Sequence, residues 1–172
     1  MKKYFEGIDL KTFWNEDDES PKQLTEEMVE KAENKLGYKL PKSFIELMKS
    51  RNGGYPIKTC FPTNKKTSWA DDHIAIETIS GIGVEYGIDD EFGSCYLIEE
   101  WGYPDIGIVI CGCPSAGHDT VMLDYSDCGE KGEPKVVHVD TETKNGAPEM
   151  TFLAKNFETF IKGLMSDTDF EV

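Results

Sequence analysis

Positive charge is missing from the centre of this 172-residue sequence. From residue 67 to residue 130 there is no Lys or Arg, whereas the same stretch holds 14 Asp and Glu. The rest of the chain carries 18 Lys and Arg against 19 Asp and Glu, so nearly all of the net charge of −15 lies in this acidic middle. Such a block repels nucleic acid and anionic membranes and attracts cationic partners. It can equally be a solvated face that keeps the protein soluble.

A long apolar run is also missing. No segment approaches the roughly 18 apolar residues that a membrane-spanning helix requires, and no apolar stretch of a secretory signal follows Lys2 and Lys3. We therefore expect a cytoplasmic protein that does not contact membranes. At this length we expect one domain, with its core at about residues 24–165, an N-terminal extension at 1–23 and an acidic tail at 166–172.

The sequence has few His residues and an odd number of Cys residues. Five Cys at irregular spacing disfavour a disulfide framework. Cys111 and Cys113, with His118 and Cys128 nearby, are candidate metal ligands, but their spacing is not that of a zinc knuckle and no second pair matches it. A cysteine nucleophile with His118 or His138 as its base has no local signature. We expect no metal, no cofactor and no catalytic residue.

Helical periodicity appears at both ends of the chain. Apolar spacing predicts a helix over Thr25–Leu36, with Thr25 as N-cap and Gly37 as its stop. A second helix is predicted over Pro41–Arg51, because Pro suits the first helical turn and an Asn-Gly-Gly turn follows. A third amphipathic helix is predicted over Phe157–Leu164.

Strand patterns fill the region between the second and third helices. Alternation or β-branched residues predict strands over His73–Ile79, Ile106–Cys111, Thr120–Leu123 and Lys135–Val139. The segment Cys95–Trp101 fits either a short helix or a strand. Because the order lacks βαβ alternation, we predict an α+β fold in which the helix pair and the C-terminal helix pack on a mainly antiparallel sheet.

Aromatic rings are interleaved with the carboxylates of the acidic middle. Rings provide apolar anchors in protein interfaces, and carboxylates meet Lys and Arg of a partner. We predict these partner-binding residues: Asp71, Asp72, Asp89, Asp90, Glu91, Glu99, Glu100, Trp101, Tyr103 and Asp105. The alternative is that several of the rings belong to the core and the carboxylates are merely solvated.

A set of positions between Leu24 and Gly54 forms a recognisable pattern. It has a Glu in the first helix, then Leu-Gly, Leu-Pro, an aromatic residue and a closing Asn-Gly-Gly. These fall on Glu33, Leu36-Gly37, Leu40-Pro41, Phe44 and Asn52-Gly53-Gly54. The pattern resembles the N-terminal signature of the Smi/Knr-type family of the SUKH superfamily. The turn at Gly117–Asp119, a strand ending at Asp124 and the C-terminal helix are also similar to that family, so the resemblance runs from about Leu24 to Leu164. His118 departs from the family pattern, in which another glycine is common.

The resemblance implies an α+β domain without catalytic residues. Many bacterial members of the family are immunity proteins encoded beside toxins that are often nucleases or deaminases, and fungal members regulate cell-wall assembly through protein contacts. We therefore expect an immunity-type protein that binds and neutralises a cognate, nuclease-like toxin through its acidic surface. A regulatory scaffold that binds a cellular protein is the alternative, and an enzyme or small-ligand binder comes third. The sequence does not indicate an oligomeric state.

Overall fold

The computed structural model describes residues 2–15 and 19–170, and it confirms the predicted α+β class. The elements in chain order are α1 (Glu26–Leu36), α2 (Lys42–Ser50), β1 (Cys60–Pro62), β2 (His73–Ala75), β3 (Thr78–Ile79), α3 (Ser94–Trp101), β4 (Gly107–Gly112), β5 (Asp119–Asp124), β6 (Lys135–Asp140), β7 (Glu149–Ala154), α4 (Phe157–Lys162) and a short 3₁₀ turn (Asp167–Phe170). No helix in this part of the chain is both long and apolar enough to cross a membrane.

The first helix begins and ends as its sequence predicts. The Thr25 hydroxyl accepts a hydrogen bond from the Met28 backbone N–H at 3.2 Å, which satisfies one of the unpaired donors of the first turn. Gly37 ends the helix with φ at +81°, a left-handed conformation that glycine adopts without strain. The second helix begins at Lys42, directly after Pro41, and ends at Ser50.

Two polar side chains of the predicted signature fix the backbone around this helix pair. A Glu33 carboxylate oxygen accepts from the Leu40 N–H at 2.9 Å and thereby holds the connection between α1 and α2. Asn52 is 2% exposed, and its amide donates to the Ile82 carbonyl at 2.8 Å and to the Lys22 carbonyl at 3.1 Å. The Asn52 side-chain oxygen accepts from the Ile82 N–H at 2.8 Å. Asn52 therefore joins three separate segments of the chain.

The strands form two antiparallel sheets. The main sheet has five strands in the order β3-β4-β5-β6-β7, and β1 pairs with β2 in a small second sheet. The predicted single strand His73–Ile79 is wrong, because the chain changes sheets between Ile76 and Glu77. The Ile76 N–H donates to Thr59, whereas the Glu77 N–H donates to Gly112 of the main sheet. Strands β1 and β7 were not predicted.

One face of the main sheet packs against the helices to form the larger core. Phe44 of α2 and Phe157 of α4 are fully buried, with their ring centroids 5.1 Å apart. Buried side chains of β4, β5 and β6, among them Ile108, Val121 and Val136, belong to the same cluster. The predicted C-terminal helix is therefore present and ends two residues earlier than expected.

The opposite face of the sheet has a smaller core under α3. Val109, Met122 and Val137 are buried there, and Leu97 and Ile98 of α3 pack against them. The segment for which the sequence allowed a helix or a strand is thus a helix, because its apolar residues cover this second face. The two cores place the sheet between helical layers.

The predicted terminal segments also contact the domain. Phe5, Phe13 and Trp14 are buried in the larger core, so the part of the N-terminal extension that the structure describes contributes to folding. Near the C-terminus, the Phe170 ring stacks on His73 with centroids 4.1 Å apart. The described residues of the acidic tail therefore lie against the small sheet.

Candidate partner-binding surface

The predicted partner-binding residues lie in two separate parts of the fold. Asp89, Asp90 and Glu91 lie in the loop 81–93 between β3 and α3, and Glu99, Glu100 and Trp101 lie in α3 itself. Tyr103 and Asp105 follow that helix. Asp71 and Asp72 instead lie in the 63–72 connection between β1 and β2.

Hydrogen bonds that the loop's own carboxylates accept hold the backbone of the loop 81–93 in place. The Asp89 carboxylate accepts from the Gly83 N–H at 2.8 Å, and the Asp90 carboxylate accepts from the Tyr86 N–H at 3.1 Å. The Lys35 ammonium of α1 donates to the Asp89 carbonyl at 2.6 Å. Asp89 and Asp90, which were predicted to face a partner, are therefore half-buried residues that shape the loop.

This loop presents Tyr86 to solvent in a strained conformation. Its backbone φ is +59°, although it is not a glycine, and its side chain is 73% exposed. A left-handed φ at such a residue costs free energy, on the order of 1–2 kcal/mol. The surrounding hydrogen bonds keep the residue there. Strain of this kind is concentrated at functional sites in proteins.

Two more exposed rings follow along the chain. Phe92 is 55% exposed and meets Tyr96 edge to face, with ring centroids 5.2 Å apart. Trp101 is 45% exposed, and its ring lies against Gly117 of the β4–β5 turn, where any Cβ would overlap it. The Phe92 and Trp101 rings are therefore supported by neighbouring groups, while a large part of each remains in water.

Exposed carboxylates alternate with these rings along the chain. The exposed acids and rings between residues 85 and 105 form what we call the acidic aromatic surface: Glu85, Tyr86, Glu91, Phe92, Glu99, Glu100, Trp101 and Asp105. Within residues 2–15 and 19–170, no Lys or Arg forms an ion pair with its five carboxylates. Their charges are thus available to an external cation.

Tyr103 does not belong to this surface, although it was predicted as a partner-binding ring. Its side chain is 4% exposed and packs in the smaller core. The Tyr103 hydroxyl donates to the Gly117 carbonyl at 2.6 Å. The reason is the left-handed turn at Gly102, which has φ at +79° and directs the chain back over the sheet directly after α3.

Asp71 and Asp72 are exposed, but each has a cationic or titratable neighbour of its own. The Asp71 carboxylate lies 3.6 Å from the Lys66 ammonium, and the Asp72 carboxylate lies 2.7 Å from the His73 imidazole Nδ1. No hydrogen bond or ion pair among the described residues links this connection to the acidic aromatic surface. The ten predicted residues are therefore not joined into one hydrogen-bonded group among the described residues, and their role in binding stays a prediction.

Comparison with known proteins identifies the scaffold. The model of the SMI1 / KNR4 family (SUKH-1) matches residues 23–163, which is most of the chain. The chain belongs to this family. No curated protein and no solved structure matches it. For this SMI1/KNR4 protein, the resemblance seen in the sequence is thus confirmed over nearly the same residues.

The residues that carry the SMI1/KNR4 signature have a different role from the residues of the acidic aromatic surface. The signature residues Glu33, Phe44 and Asn52 are directed inward, where they hold backbone or fill the core. The exposed rings and acids of residues 85–105 lie on loops and one short helix outside that signature. Family membership therefore accounts for the scaffold and does not account for the exposed side chains of the acidic aromatic surface.

A second group of polar side chains lies at the β4–β5 turn of this SMI1/KNR4 protein. His138 of β6 and Asp119 of β5 are buried, and the His138 Nε2 lies 2.8 Å from the Asp119 carboxylate. Because a carboxylate only accepts, the imidazole donates this bond. Ser115 also donates to Asp119, and the Cys113 thiol sulfur lies within 4.8 Å of the carboxylate.

The electrostatics of this group depend on its burial. Burial alone would raise the pKa of Asp119, but the bonds from His138 and Ser115 outweigh burial and hold that pKa below its usual range. Burial, with nearby Asp119 and Cys111, raises the pKa of the Cys113 thiol well above its usual range. The thiol is therefore neutral at physiological pH, which does not favour a nucleophilic role.

The sequence suggested different partners for these side chains. It grouped Cys111 and Cys113 with His118 and Cys128, whereas the structure pairs His118 with Asp140 at 3.1 Å. Cysteine spacing gave no signal for Asp119 or His138. Only the register of β5 against β6, in which Asp119 lies opposite Asp140 and Val121 opposite His138, brings them to one face.

Proposed function

We propose that this chain is a non-catalytic, immunity-type protein that acts in the cytoplasm by binding and neutralising a cognate, nuclease-like toxin. Membership of the SMI1/KNR4 family is consistent with an immunity-type or a regulatory protein. The single observation that supports a binding role most directly is the acidic aromatic surface. It combines exposed rings on a rigid loop and helix with carboxylates that no cation of the described chain neutralises.

The charge of this surface suits a nucleic-acid-binding partner. A nuclease has to contact phosphates, so its substrate groove carries Lys and Arg. Glu99 and Glu100 at the end of α3, with Glu91 before it, are exposed carboxylates that can occupy such a groove. Complementary charge mainly raises the association rate and selects the partner. This argument supports a basic, nuclease-like partner over a neutral one.

The rings provide the short-range part of the proposed contact. Aromatic anchors that bury against a partner account for much of the binding energy in protein interfaces. Tyr86 and Trp101 are suited to this because their backbones are already fixed, by Asp90 and by the turn at Gly102 respectively. Little conformational freedom is then lost on binding.

A regulatory scaffold that binds a cellular protein is the alternative function. The same surface would serve it, because rings and carboxylates do not distinguish a toxin from another basic protein. The two functions differ in what the captured partner does when it is expressed alone. A toxin stops growth and this chain restores growth, whereas a regulatory partner is harmless.

Capture of partners from a lysate of the source cells tests the proposal. The wild-type chain and a Tyr86→Ala/Trp101→Ala variant are immobilised, and bound proteins are identified by mass spectrometry. A matched control is Ile57→Ala, which removes an equally exposed apolar side chain from the connection before β1. We expect one basic protein to bind the wild type and the Ile57→Ala chain and to be lost by the double variant.

The captured protein is then expressed alone and together with this chain. Growth arrest that is relieved by the wild type, and not by the double variant, supports the immunity function. A partner that is harmless when expressed alone favours the regulatory alternative. Equal capture by all three chains would contradict the acidic aromatic surface as the binding site.

A further inference from the structure

Cys113, Asp119 and His138 converge from three segments of the chain on one point at the end of the main sheet. Cys113 begins the β4–β5 turn, Asp119 is the first residue of β5, and His138 lies in the middle of β6. The thiol sulfur, a carboxylate oxygen and an imidazole nitrogen all lie within 4.8 Å of one another. Two of the residues are held by strands, so the arrangement is fixed by backbone pairing.

These atoms are a ligand set of the kind that zinc prefers. Thiolate sulfur, imidazole nitrogen and carboxylate oxygen are the usual zinc ligands, with bonds of about 2.0–2.3 Å. In a tetrahedral site such ligands lie about 3.5 Å apart, so small side-chain rotations around the present positions are sufficient. We propose that Cys113, Asp119 and His138 bind one transition-metal ion, with Zn²⁺ as the best fit.

Coordination requires a defined movement of protons. The Cys113 thiol gives up its proton to solvent and binds as thiolate. The ring hydrogen of His138 moves from Nε2 to Nδ1 through solvent, the freed Nε2 binds the ion, and the hydrogen bond to Asp119 is replaced by the shared ion. Ser115, which already donates to Asp119, stays as an outer partner that orients the carboxylate. A fourth position is left for water.

The site has a route to solvent. Cys113 retains 9% of its surface exposed, whereas Asp119 and His138 retain 6% and 1%. Residues 114–118 form the exposed or half-buried turn above it and include Gly117 at φ +92°. Cys113 is therefore the most accessible of the three proposed ligands, and the turn lies on the solvent side of it.

Hydrogen bonding alone is the competing account of this cluster. In the metal-free form, the Asp119 carboxylate already accepts hydrogen bonds from His138 and Ser115. That network explains the burial of the carboxylate, but it does not require a thiol at position 113. The high thiol pKa is consistent with both accounts, because a bound metal ionises a coordinating thiol outright. Metal binding to the isolated chain distinguishes them.

The proposed ion would join the two ends of the turn that supports Trp101. Cys113 and Asp119 bracket this turn, while Gly117 accepts the Tyr103 hydroxyl and lies under the Trp101 ring. The inference does not rest on the proposed partner, since the metal site and the acidic aromatic surface are made of different side chains. If the proposed binding surface is wrong, the proposed metal site is unaffected, and the reverse also holds.

Cobalt titration of the full chain tests the site. Protein stripped with chelator and dialysed is titrated with Co²⁺, whose charge-transfer absorption reports a bound thiolate. We expect saturation at one ion per chain, bleaching by Zn²⁺, and loss of the band in Cys113→Ser. Cys128→Ser is the matched control, because this half-buried cysteine lies outside the cluster, and it should retain the band.

Labelling of the wild type keeps the test valid if Cys113→Ser does not fold. Thiol-alkylation rates at each cysteine are followed by mass spectrometry with and without Zn²⁺. Slower labelling of Cys113, with Cys128 unchanged, supports the site. No saturable cobalt band, or equal labelling of Cys113 in both samples, overturns the proposal and leaves the hydrogen-bonded cluster as the complete account.

Discussion

The helix pair and the 81–105 region use their side chains in opposite ways. In the helix pair, the Phe44 ring and the Asn52 amide are directed inward, where the ring is fully buried and the amide holds backbone from two other segments. In the 81–105 region, Asp89 and Asp90 also hold backbone, but the rings next to them point into water. One region stabilises the fold, and the other is stabilised so that it can present a surface.

Family membership and the proposed partner binding therefore depend on different residues. The signature that identifies a SMI1/KNR4 protein consists of residues whose contacts are internal, so it would be needed by any member whatever its partner. The side chains of the acidic aromatic surface, which we propose as the partner contact, contribute little to the core. Identical substitutions in the two regions should therefore have very different consequences.

Removal of a ring should show the largest contrast. Phe44→Ala should lower the free energy of unfolding by about 3–5 kcal/mol, because Phe44 is fully buried against Phe157 and a cavity remains. Phe92→Ala, the same change at a ring that is 55% exposed, should lower it by no more than about 0.5 kcal/mol. Urea denaturation measures both values. Similar losses at the two positions would contradict the division between the regions.

Removal of an amide should show the next largest contrast. Asn52→Ala leaves the N–H and carbonyl of Ile82 without their partner, which should lower the free energy of unfolding by about 1–3 kcal/mol. Asn34→Ala on the exposed side of α1 is the matched control and should change it by less than about 0.5 kcal/mol. Denaturant titration of both variants is sufficient. An Asn52→Ala chain as stable as wild type would mean that water replaces the amide.

Relief of strain at Tyr86 should give a smaller change of opposite sign. Glycine adopts the φ of +59° freely, so Tyr86→Gly should raise the free energy of unfolding by up to about 1 kcal/mol, after the greater freedom of unfolded glycine is offset. Tyr86→Ala removes the same ring and keeps the strain. Thermal unfolding compares the two variants, and both should bind the captured partner more weakly. A Tyr86→Gly chain that is more stable and binds normally would show that neither the ring nor the strain at this position has a role in binding.

The regular parts of this fold could be predicted from the sequence because local pattern and burial agree there. Thr25 marks the start of α1 through its side-chain hydroxyl, and Gly37 marks its end through its left-handed backbone. The β-branched residues of β4 and β6 are buried on both faces. Strand β7 was missed because its pattern is inverted. Thr151 is buried there, whereas Met150 and Phe152 are 44% and 59% exposed, so hydrophobicity does not alternate with burial.

The candidate sites were less predictable because they depend on long-range geometry. The partner-binding residues predicted from the sequence included Glu91, Trp101 and Tyr103 but not Tyr86 or Phe92. Burial of Tyr103 depends on how the chain packs on the sheet after Gly102, which is a long-range feature. The proximity of Asp119 and His138 likewise follows from strand register. Spacing along the chain therefore indicated which residue types were present, but it did not indicate which of their side chains are in contact.

Neutralisation of charge should have the smallest effect on stability and should act on association instead. Glu99→Gln/Glu100→Gln changes two exposed side chains that have no cationic partner among the described residues, so the free energy of unfolding should change by less than about 0.5 kcal/mol. Association with the captured partner should slow at low salt, because complementary charge steers encounter. Surface plasmon resonance at several salt concentrations measures the rates.

The matched control also tests whether the two acidic segments act together. Asp71→Asn/Asp72→Asn removes the same number of charges from the 63–72 connection, where Lys66 and His73 already face them. We expect this variant to associate at nearly the wild-type rate. The deficit of the Glu99→Gln/Glu100→Gln chain should shrink as salt rises, since the screening length falls from about 10 Å at 0.1 M to about 3 Å at 1 M. If both variants associate equally slowly, the binding surface includes the connection next to the small sheet. If neither variant associates more slowly, the acidic middle is only a solvated face.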